Sequence, residues 1–518
     1  MSRTARRIGL PILPQAIPAV PLAGAAGVAY DLAGTDTPSI GMVTLGCDKN
    51  TVDTERLLAR LAGAGARLAG PSERADVILV NTCGFIDAAK QESIDAILEA
   101  VQRKTDGSVR AVVAMGCMVQ RYKQELAAEL PEVDLFLGLT EIERLVPELR
   151  ARGLLPPVER IATMERPMRL ISTASRHTSP LKVSEGCDHT CAFCAIPLMR
   201  GKHRSTPIDR LVREAQELEA AGVVELNLVS QDTTWYGRDL ARGIAPALDD
   251  LFIGRTFDGM AGIAAVEQLP RAAANGERHG LLHDLLRALL DGTAVPWFRL
   301  FYMYPSGIRP ELIELMAREP RIVPYLDMPI QHGSDAMLTR MRRPERRGTI
   351  LDRTNRLRDA IPDLTLRTTV IVGFPGETED DFDALLDLLE EVRFDRLGAF
   401  PYSEEEGTPA ACMDGQVSES VKRERMERLL DLQRAITLER NDAWVGREVD
   451  VLVDEIIGRD TEMAGDDVRG ATARTVGQAP EVDGVVHLDD AGGARVGEFM
   501  RIRITGALVD DLEGERIA

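Results

Sequence analysis

Three cysteines lie close together in the segment SEGCDHTCAFC, at Cys187, Cys191 and Cys194. Thiolates at this spacing can bind three irons of one 4Fe–4S cluster and leave the fourth iron open. An open iron can chelate the amino and carboxylate groups of S-adenosylmethionine, which places a one-electron donor against its sulfonium. A structural zinc site is the alternative, but zinc needs four ligands, and only His189 or His203 is near enough to be the fourth. The spacing favours the cluster.

A short predicted strand, residues 181–183, ends just before this cysteine loop. In parallel α/β architectures, reactive groups lie at the carboxyl ends of the strands. The sequence that follows alternates between strand and helix patterns. The predicted strands are residues 181–183, 224–229, 298–302, 323–327, 366–372 and 397–400. The predicted helices between them are residues 208–221, 281–290, 311–318, 350–360 and 379–392.

Cys47, Cys83 and Cys117 each follow a short apolar run that is typical of a buried parallel strand. The runs are residues 41–45, 77–80 and 112–114, with helical patterns over residues 53–64, 88–102 and 121–129. Parallel strand ends meet at one rim of a doubly wound sheet. The sequence therefore predicts a second three-thiolate cluster. The alternative is three unrelated buried cysteines, which requires three coincident placements at strand ends.

From about Ser39 to its end, the sequence resembles the radical-SAM methylthiotransferases. The segments that carry the resemblance are GCDKNTVDTE, NTCGFIDAAKQESID, SEGCDHTCAFCAIPLMRGKHRS, SQDTTWYGRDL, YLDMPIQHGSD, TTVIVGFPGETEDDF and FDRLGAFPYSEEEGTPA. They are most similar to the branch that modifies an aspartate of ribosomal small-subunit protein twelve. A sister branch modifies an isopentenyl-adenosine in tRNA and usually has another residue pair after the first cysteine. Lys49 and Asn50 fit the protein-modifying branch, although Asp48 replaces a proline that is common there.

The resemblance implies three domains in an α/β multidomain fold. Residues 39–150 are expected to form a doubly wound α/β domain, and residues 177–436 an incomplete (β/α)6 radical-SAM barrel. Residues 437–518 contain short strand-like runs, separated by Gly and Asp, which predict a small antiparallel β-barrel. The runs are residues 448–454, 470–475, 484–488 and 499–506. In this family that barrel is the TRAM domain.

Three stretches fall outside these domains. Residues 1–38 are predicted to be a disordered extension: three arginines precede an apolar stretch and superficially mimic a signal peptide, but four prolines interrupt that stretch. Residues 151–176 are predicted to be a linker. Residues 243–280, rich in Ala and Gly, are predicted to be a surface insertion in the central domain that most relatives lack.

The resemblance also implies residues that hold S-adenosylmethionine. Gly373 and Glu377, in VIVGFPGE, end a strand that lies beside the adenine in this family; a tight turn with a helix-capping acid is the alternative. Gln231 is expected to bond the methionyl moiety. Phe193, between two cluster cysteines, is expected to present backbone to the adenine edge, or else to be a packing aromatic. Residues 199–204 form a basic segment, in which Arg200 or Arg204 is expected to contact a carboxylate; the alternative is a solvated charge run.

The chemistry implied by the resemblance needs two clusters. The cluster at Cys187, Cys191 and Cys194 reduces S-adenosylmethionine to methionine and a 5′-deoxyadenosyl radical, which removes hydrogen from the β-carbon of the target aspartate. The cluster at the other three cysteines presents a sulfur that a second S-adenosylmethionine methylates, and the methylthio group joins the carbon radical. An external electron donor and a sulfur donor are therefore expected partners.

The tail carries a strong negative charge. Residues 437–518 contain 19 Asp and Glu residues against 9 Lys and Arg residues, a net of −10 out of −20 for the chain. Such a surface repels phosphates and attracts basic proteins. A basic ribosomal protein is the expected partner, and direct nucleic-acid binding is not expected. The acids expected to act include Asp454, Glu455, Asp466, Asp467, Asp489 and Asp490.

Composition indicates where the chain works. Seven cysteines, six of them in ligand-like settings, argue for a reducing compartment rather than a disulfide framework. The seventh, Cys412, is interpreted as incidental. No run of eighteen apolar residues predicts a transmembrane helix, so a cytoplasmic enzyme without membrane association is expected. The alternatives are a tRNA methylthiotransferase, an iron–sulfur electron-transfer or sensor module without a substrate, and a zinc-stapled RNA-binding protein.

Overall fold

The computed structural model describes residues 38–70, 73–157, 167–171, 177–241, 280–458 and 470–517. The chain divides into two compact units: residues 1–166 with 170–174, and residues 167–169 with 175–518. The predicted extension, much of the predicted linker and nearly all of the predicted insertion lie outside the described residues. None of the described helices has both the length and the apolar composition needed to cross a bilayer.

The first unit contains a parallel sheet with helices between its strands. Its strands are β1 (Ser39–Thr44), β2 (Arg67–Leu68), β3 (Val77–Thr82), β4 (Ala111–Gly116) and β5 (Leu135–Leu137). Its helices are α1 (Asp48–Gly63), α2 (Asp87–Thr105), α3 (Cys117–Glu129) and α4 (Leu145–Ala151). The strand order is β2-β1-β3-β4-β5, and every pairing is parallel. Every residue of β3 and β4 is buried, which explains their continuous apolar runs.

Six parallel strands form the central sheet of the second unit, in the order β13-β12-β11-β10-β9-β6. They are β6 (Thr178–Lys182), β9 (Glu225–Val229), β10 (Trp297–Leu300), β11 (Ile322–Asp327), β12 (Thr365–Val372) and β13 (Arg396–Pro401). A short antiparallel pair, β7 (Ser184–Glu185) and β8 (Arg204–Ser205), flanks the cysteine loop. The six predicted strands and the incomplete parallel barrel are thereby confirmed.

Helices connect these strands. The described helices of this unit are α5 (Ile196–Arg200), α6 (Ile208–Ala220), α7 (Arg238–Ala241), α8 (Leu282–Gly292), α9 (Pro310–Arg318), α10 (Asp335–Arg340), α11 (Arg347–Ala360), α12 (Glu379–Val392) and α13 (Glu419–Asp442). The five predicted helices correspond to α6, α8, α9, α11 and α12. Helix α12 shows a local sequence signal that marks the start of a helix. The Thr378 hydroxyl accepts from the Asp381 amide, and the Asp381 carboxylate accepts from the Thr378 amide, so both groups cap the helix start.

The last segment closes into a small barrel, as predicted. It has five strands, and its pairings are antiparallel except for the parallel pairing of the third strand with the fifth. Its strands are β14 (Glu448–Ile457), β15 (Gly470–Arg474), β16 (Val486–Leu488), β17 (Phe499–Ala507) and β18 (Leu512–Arg516). Strand β17 alternates strictly between exposed and buried positions over most of its length, which places Met500, Ile502 and Ile504 in the barrel core. The sequence pattern missed β18, because the segment LEGER contains only one apolar residue.

A buried ion-pair network joins this small barrel to the central sheet. Nη2 of Arg474, at the end of β15, lies 2.7 Å from Oε2 of Glu225 at the start of β9. Nε of Arg299 lies 2.8 Å from the other oxygen of Glu225. Nε of Arg474 also lies 2.7 Å from Asp454. Asp454, expected to be one of the acids that attract a partner, is instead held within the protein, because its carboxylate neutralises a buried guanidinium.

Candidate iron–sulfur and S-adenosylmethionine sites

The cysteine loop of the second unit is folded back on itself. The amide of Cys187 donates to the carbonyl of Gly201 at 3.0 Å. Gly186 adopts φ +72°, and a Cβ atom there would lie 2.2 Å from the carbonyl oxygen of Lys202. Only glycine can therefore occupy this position without moving the loop. Cys187 and Cys191 are buried, and Cys194 is half-buried.

Burial, together with a smaller contribution from charge on the neighbouring sulfurs, raises the pKa of the Cys187 thiol and of the Cys194 thiol to about 12. The three sulfurs are thus close enough to repel one another once they ionise. Thiolates in this position need a nearby positive charge, which iron ions would supply. Among the described residues, no three His, Cys, Asp or Glu side chains already converge on a single ion. Cluster thiolates each bind a different iron, so they lie farther apart.

Aromatic and basic side chains surround Cys191. The Tyr304 hydroxyl lies 3.4 Å from the Cys191 sulfur, and Nη1 of Arg343 lies 3.8 Å from it. His189, considered above as a fourth zinc ligand, stacks on the Tyr304 ring and lies 2.7 Å from Asp232 through Nε2. These contacts account for one nitrogen of the imidazole.

Gln231 lies just beyond the carboxyl end of β9. Because β6 and β9 are parallel, this is the same end of the sheet as the cysteine loop that follows β6. Both polar atoms of its side-chain amide are buried, and neither has a hydrogen-bond partner in the described part of the chain. A buried amide without partners costs free energy unless a ligand satisfies it. The position therefore suits a polar ligand such as the methionyl group of S-adenosylmethionine.

The turn after β12 is built around Glu377. Its carboxylate accepts from the amide of Gly373 at 2.9 Å and pairs with Nη1 of Arg425 at 2.7 Å. Gly373 has φ +74° and packs against Lys422, whose Cγ would lie 2.3 Å from an added Cβ. Glu377 was expected among the residues that hold S-adenosylmethionine; its carboxylate is buried and fixes the backbone of the turn at Gly373. Sequence reasoning did not find Arg425, which is 48 residues away.

Phe193 is half-buried and packs against a small apolar cluster. That cluster comprises Ala192, Met337, Met341, Phe374, Tyr402 and Ala410. Because Phe374 belongs to the turn after β12, the cluster joins the cysteine loop to that turn. The two segments expected to flank the adenine are therefore adjacent in the structure.

Arg200 is committed to an internal ion pair. Its guanidinium lies 2.9 Å from both oxygens of Glu185, and Nζ of Lys182 lies 2.8 Å from the same carboxylate. Burial alone raises the pKa of Glu185, but the two cations lower it to about 2. Of the two interpretations of this basic segment, the solvated charge run is wrong for Arg200, because its side chain is buried.

In the first unit, the three cysteines lie at the ends of adjacent strands β1, β3 and β4. Cys47 is exposed, whereas Cys83 and Cys117 are buried. A Cβ added to Gly46 would lie 2.9 Å from the Cys83 sulfur, so the residue before Cys47 touches the second cysteine. The predicted convergence of strand ends therefore brings at least these two cysteines together.

Asn50 links all three strand ends. Its Nδ2 donates to the carbonyl of Leu45 at 2.8 Å and lies 3.3 Å from that of Thr82. Its Oδ1 lies 3.8 Å from the Cys117 sulfur. One buried amide thus connects the segments that carry the three thiols, which gives a structural reason for the asparagine at position 50. The arrangement fits a cluster held at one rim of the sheet.

Comparisons with known proteins agree with this architecture. Residues 39–138 match uncharacterized protein family UPF0004, residues 181–389 match the radical SAM superfamily, and residues 445–517 match the TRAM domain. A solved radical S-adenosylmethionine methyltransferase, TsrM from Kitasatospora setae, superposes with a TM-score of 0.50 at 12% identity, covering 77% of this chain and 89% of that one. That likeness concerns the fold alone. Fold and cysteine loop together define a radical SAM enzyme.

Curated relatives show to which family of radical SAM enzymes the chain belongs. Ribosomal protein uS12 methylthiotransferase RimO from Anaeromyxobacter sp. (strain K) is 44% identical over 92% of this chain and 93% of its own length. The protein of the same name from Geobacter sulfurreducens is 42% identical over 92% of this chain and 98% of its own length. The chain belongs to this RimO family of methylthiotransferases.

Proposed function

We propose that the protein transfers a methylthio group to the β-carbon of an aspartate in ribosomal small-subunit protein uS12. The observation that carries the proposal is the presence of two cysteine sites, one in each unit, in a chain that matches RimO proteins over more than nine tenths of its length. When bound, two 4Fe–4S clusters and S-adenosylmethionine would supply radical chemistry at a carbon that no side-chain base can deprotonate.

The protein's own residues hold and orient these groups. Cys187, Cys191 and Cys194 would hold one cluster, and Cys47, Cys83 and Cys117 the other. At the first site, the buried amide of Gln231 would bond the methionyl group. Gly373 and the backbone around Phe193 would approach the adenine, and Glu377 would keep the Gly373 turn in shape. Position and water exclusion are what the fold adds to the cofactor chemistry.

Charge on the small barrel supports a protein substrate. Two of its exposed arginines are paired across strands: Arg503 with Glu448 at 2.9 Å, and Arg501 with Asp450 at 3.4 Å. Glu515 approaches Arg503 at 3.5 Å. With these cations neutralised by neighbouring acids, the face attracts phosphate weakly. A basic protein such as a ribosomal protein is favoured over RNA.

Product analysis tests the proposal. A strain lacking the gene should yield uS12 without the methylthio mass increment, and re-expression should restore it. Mass spectrometry of uS12 and of bulk tRNA from the same cells separates the two branches. Loss of a methylthio-nucleoside with uS12 unchanged would replace this proposal with the tRNA function. A variant with Cys187, Cys191 and Cys194 changed to Ala should fail to restore the product.

A further inference from the structure

The basic segment over residues 340–343 has no role in the function described so far, yet its last residue reaches the cysteine loop. Arg343 is buried, with 1% of its side chain exposed. Its Nη2 donates to the carbonyl of Pro329 at 2.9 Å, and its Nε lies 3.2 Å from Glu345. These contacts aim Nη1 at the Cys191 sulfur, 3.8 Å away. A buried guanidinium therefore lies beside one thiol of the site.

Tyr304 approaches the same sulfur from a fixed orientation. Its ring is held between two planar groups: the Arg343 guanidinium, 3.9 Å from the ring centre, and the His189 ring, 4.1 Å away and tilted by 3°. His189 is held in turn by Asp232 at 2.7 Å. The hydroxyl reaches the Cys191 sulfur at 3.4 Å. A ligating thiolate has no proton, so the tyrosine hydroxyl must be the donor.

We propose that Tyr304 and Arg343 are positioning residues that act through Cys191 to raise the reduction potential of the cluster held by Cys187, Cys191 and Cys194. The inference rests on the proposed function, because it needs that cluster. Reduction adds one electron from an external donor to the cluster, and part of that charge falls on the sulfurs. A hydroxyl donor and a guanidinium beside one sulfur stabilise the reduced form. No proton moves, and no bond to the protein breaks.

Redox titration of a single-cluster protein tests this. The parent is the full-length chain with Cys47, Cys83 and Cys117 changed to Ala, reconstituted with iron and sulfide. Reduced cluster is followed by electron paramagnetic resonance as the potential is poised with dithionite. Arg343→Gln should favour the oxidised form about tenfold, which is about 59 mV for a one-electron couple. Tyr304→Phe should shift the potential in the same direction by less.

Matched variants separate the effect of a guanidinium beside the Cys191 sulfur from a general effect of positive charge on the reduction potential. Arg342→Gln makes the same chemical change at the exposed neighbouring residue and should leave the potential unchanged. Arg343→Lys keeps the charge and should lower the reduction potential less than Arg343→Gln does. If Arg343→Gln fails to hold about four irons, Tyr304→Phe decides the question alone, because it removes only the hydroxyl.

The outcomes distinguish this inference from the function on which it rests. Unchanged potentials in variants that hold a full cluster would overturn the role of Tyr304 and Arg343 and leave the proposed function intact. A parent protein that binds no cluster would overturn both. A shift of equal size in Arg342→Gln would also overturn the inference, because it would show that distant charge alone sets the potential.

Discussion

At the scale of single residues, burial changes the chemistry of the cysteines in the loop of the second unit. Cys187 and Cys191 have little contact with solvent, and the pKa of Cys187 is raised to about 12 by that burial. Cys412 is exposed. A buried thiol ionises readily only when a metal ion compensates the charge. The cluster assignment therefore predicts that iron content depends on the two cysteine sets and is indifferent to Cys412.

Iron analysis checks whether each of the two cysteine sets holds one cluster. Anaerobically reconstituted protein should bind about eight irons, in two four-iron clusters. Changing Cys187, Cys191 and Cys194 to Ala should remove about half of the iron and abolish 5′-deoxyadenosine formation. Changing Cys47, Cys83 and Cys117 to Ala should remove the other half and abolish the methylthio product, yet leave 5′-deoxyadenosine formation measurable.

Cys412→Ala is the control and should change neither iron nor product. An iron content unaffected by the first triple change would refute the assignment of that site. Disappearance of 5′-deoxyadenosine in the second triple variant, with the remaining cluster intact, would refute the proposed division of roles between the two cysteine sets.

At the scale of elements, the small barrel is attached to the central sheet at the amino end of its strands. Glu225 begins β9, and its carboxylate is shared by Arg299 and Arg474. An apolar cluster accompanies the ion pairs, in which Leu452 and Ala479 of the small barrel pack with Trp297 and Tyr325. The cysteine loop follows the carboxyl end of β6, so the attachment and the chemistry occupy opposite ends of the sheet.

Glu225 should make stability depend on acid pH. Burial by itself raises the pKa of Glu225, but Arg474 and Arg299 lower it from 4.5 to about 2 in the folded protein. Because the folded-state pKa is the lower one, the stabilisation is complete above about pH 5 and is lost as the pH falls from 4.5 toward 2. A shift of this size corresponds to about 3 kcal/mol.

Urea unfolding followed by tryptophan fluorescence measures this, because Trp297 lies in the attachment. Glu225→Gln should lower the free energy of unfolding at neutral pH, and its difference from the wild type should shrink as the pH falls. Glu448→Gln, at an exposed ion pair, should cost less than about 1 kcal/mol at any pH. Parallel pH curves for the wild type and Glu225→Gln would contradict the assigned role.

At the scale of the whole molecule, negative charge is unevenly distributed. The final 82 residues carry −10 of the formal −20. Asp466 and Asp467 lie outside the described residues, and the structure shows two groups among the acids that it does describe. Asp454 and Asp483 serve internal contacts, with Arg474 and with Tyr325 respectively. Glu455, Asp489 and Asp490 are exposed, and exposed charge is what steers a basic partner.

Neutralising Glu455, Asp489 and Asp490 to their amides should weaken binding of uS12. An exposed charge contributes roughly 0.5 kcal/mol, so the expected loss of affinity is about tenfold. The residual binding should depend less steeply on salt. Isothermal titration of uS12 into the full-length protein across a salt series measures both, with melting temperature as the check on folding.

Glu125, Glu129 and Glu132 provide the matched control, because they are exposed acids of the first unit. Their conversion to glutamine changes total charge equally and should affect binding less. Equal losses of affinity for uS12 in both triple variants would show that only the net charge of the protein affects binding. Unchanged affinity in both would show that these acids serve solubility.

The sequence alone predicted the six cysteine ligands, and it determined the order of the domains and the longer strands, although it missed the short strands β2, β5, β7 and β8. The predicted features are local: three thiols within eight residues, apolar runs of parallel strands, and alternating positions in β17 each leave a pattern within a few neighbouring residues. Strand β18 was not predicted, because its outward-facing residues outnumber its single apolar residue. The family assignment followed from short segments of the same kind.

Only the tertiary structure decided what surrounds these residues. Arg343 contacts a sulfur 152 positions earlier, Arg474 neutralises a carboxylate 249 positions earlier, and Arg425 reaches Glu377 from 48 positions away. A charged residue has no periodicity that announces its partner, and its sequence neighbourhood is the same whether it is solvated or buried. Burial is set by the packing of distant elements, and for that reason Asp454 and Arg343 acquired their roles only in the folded chain.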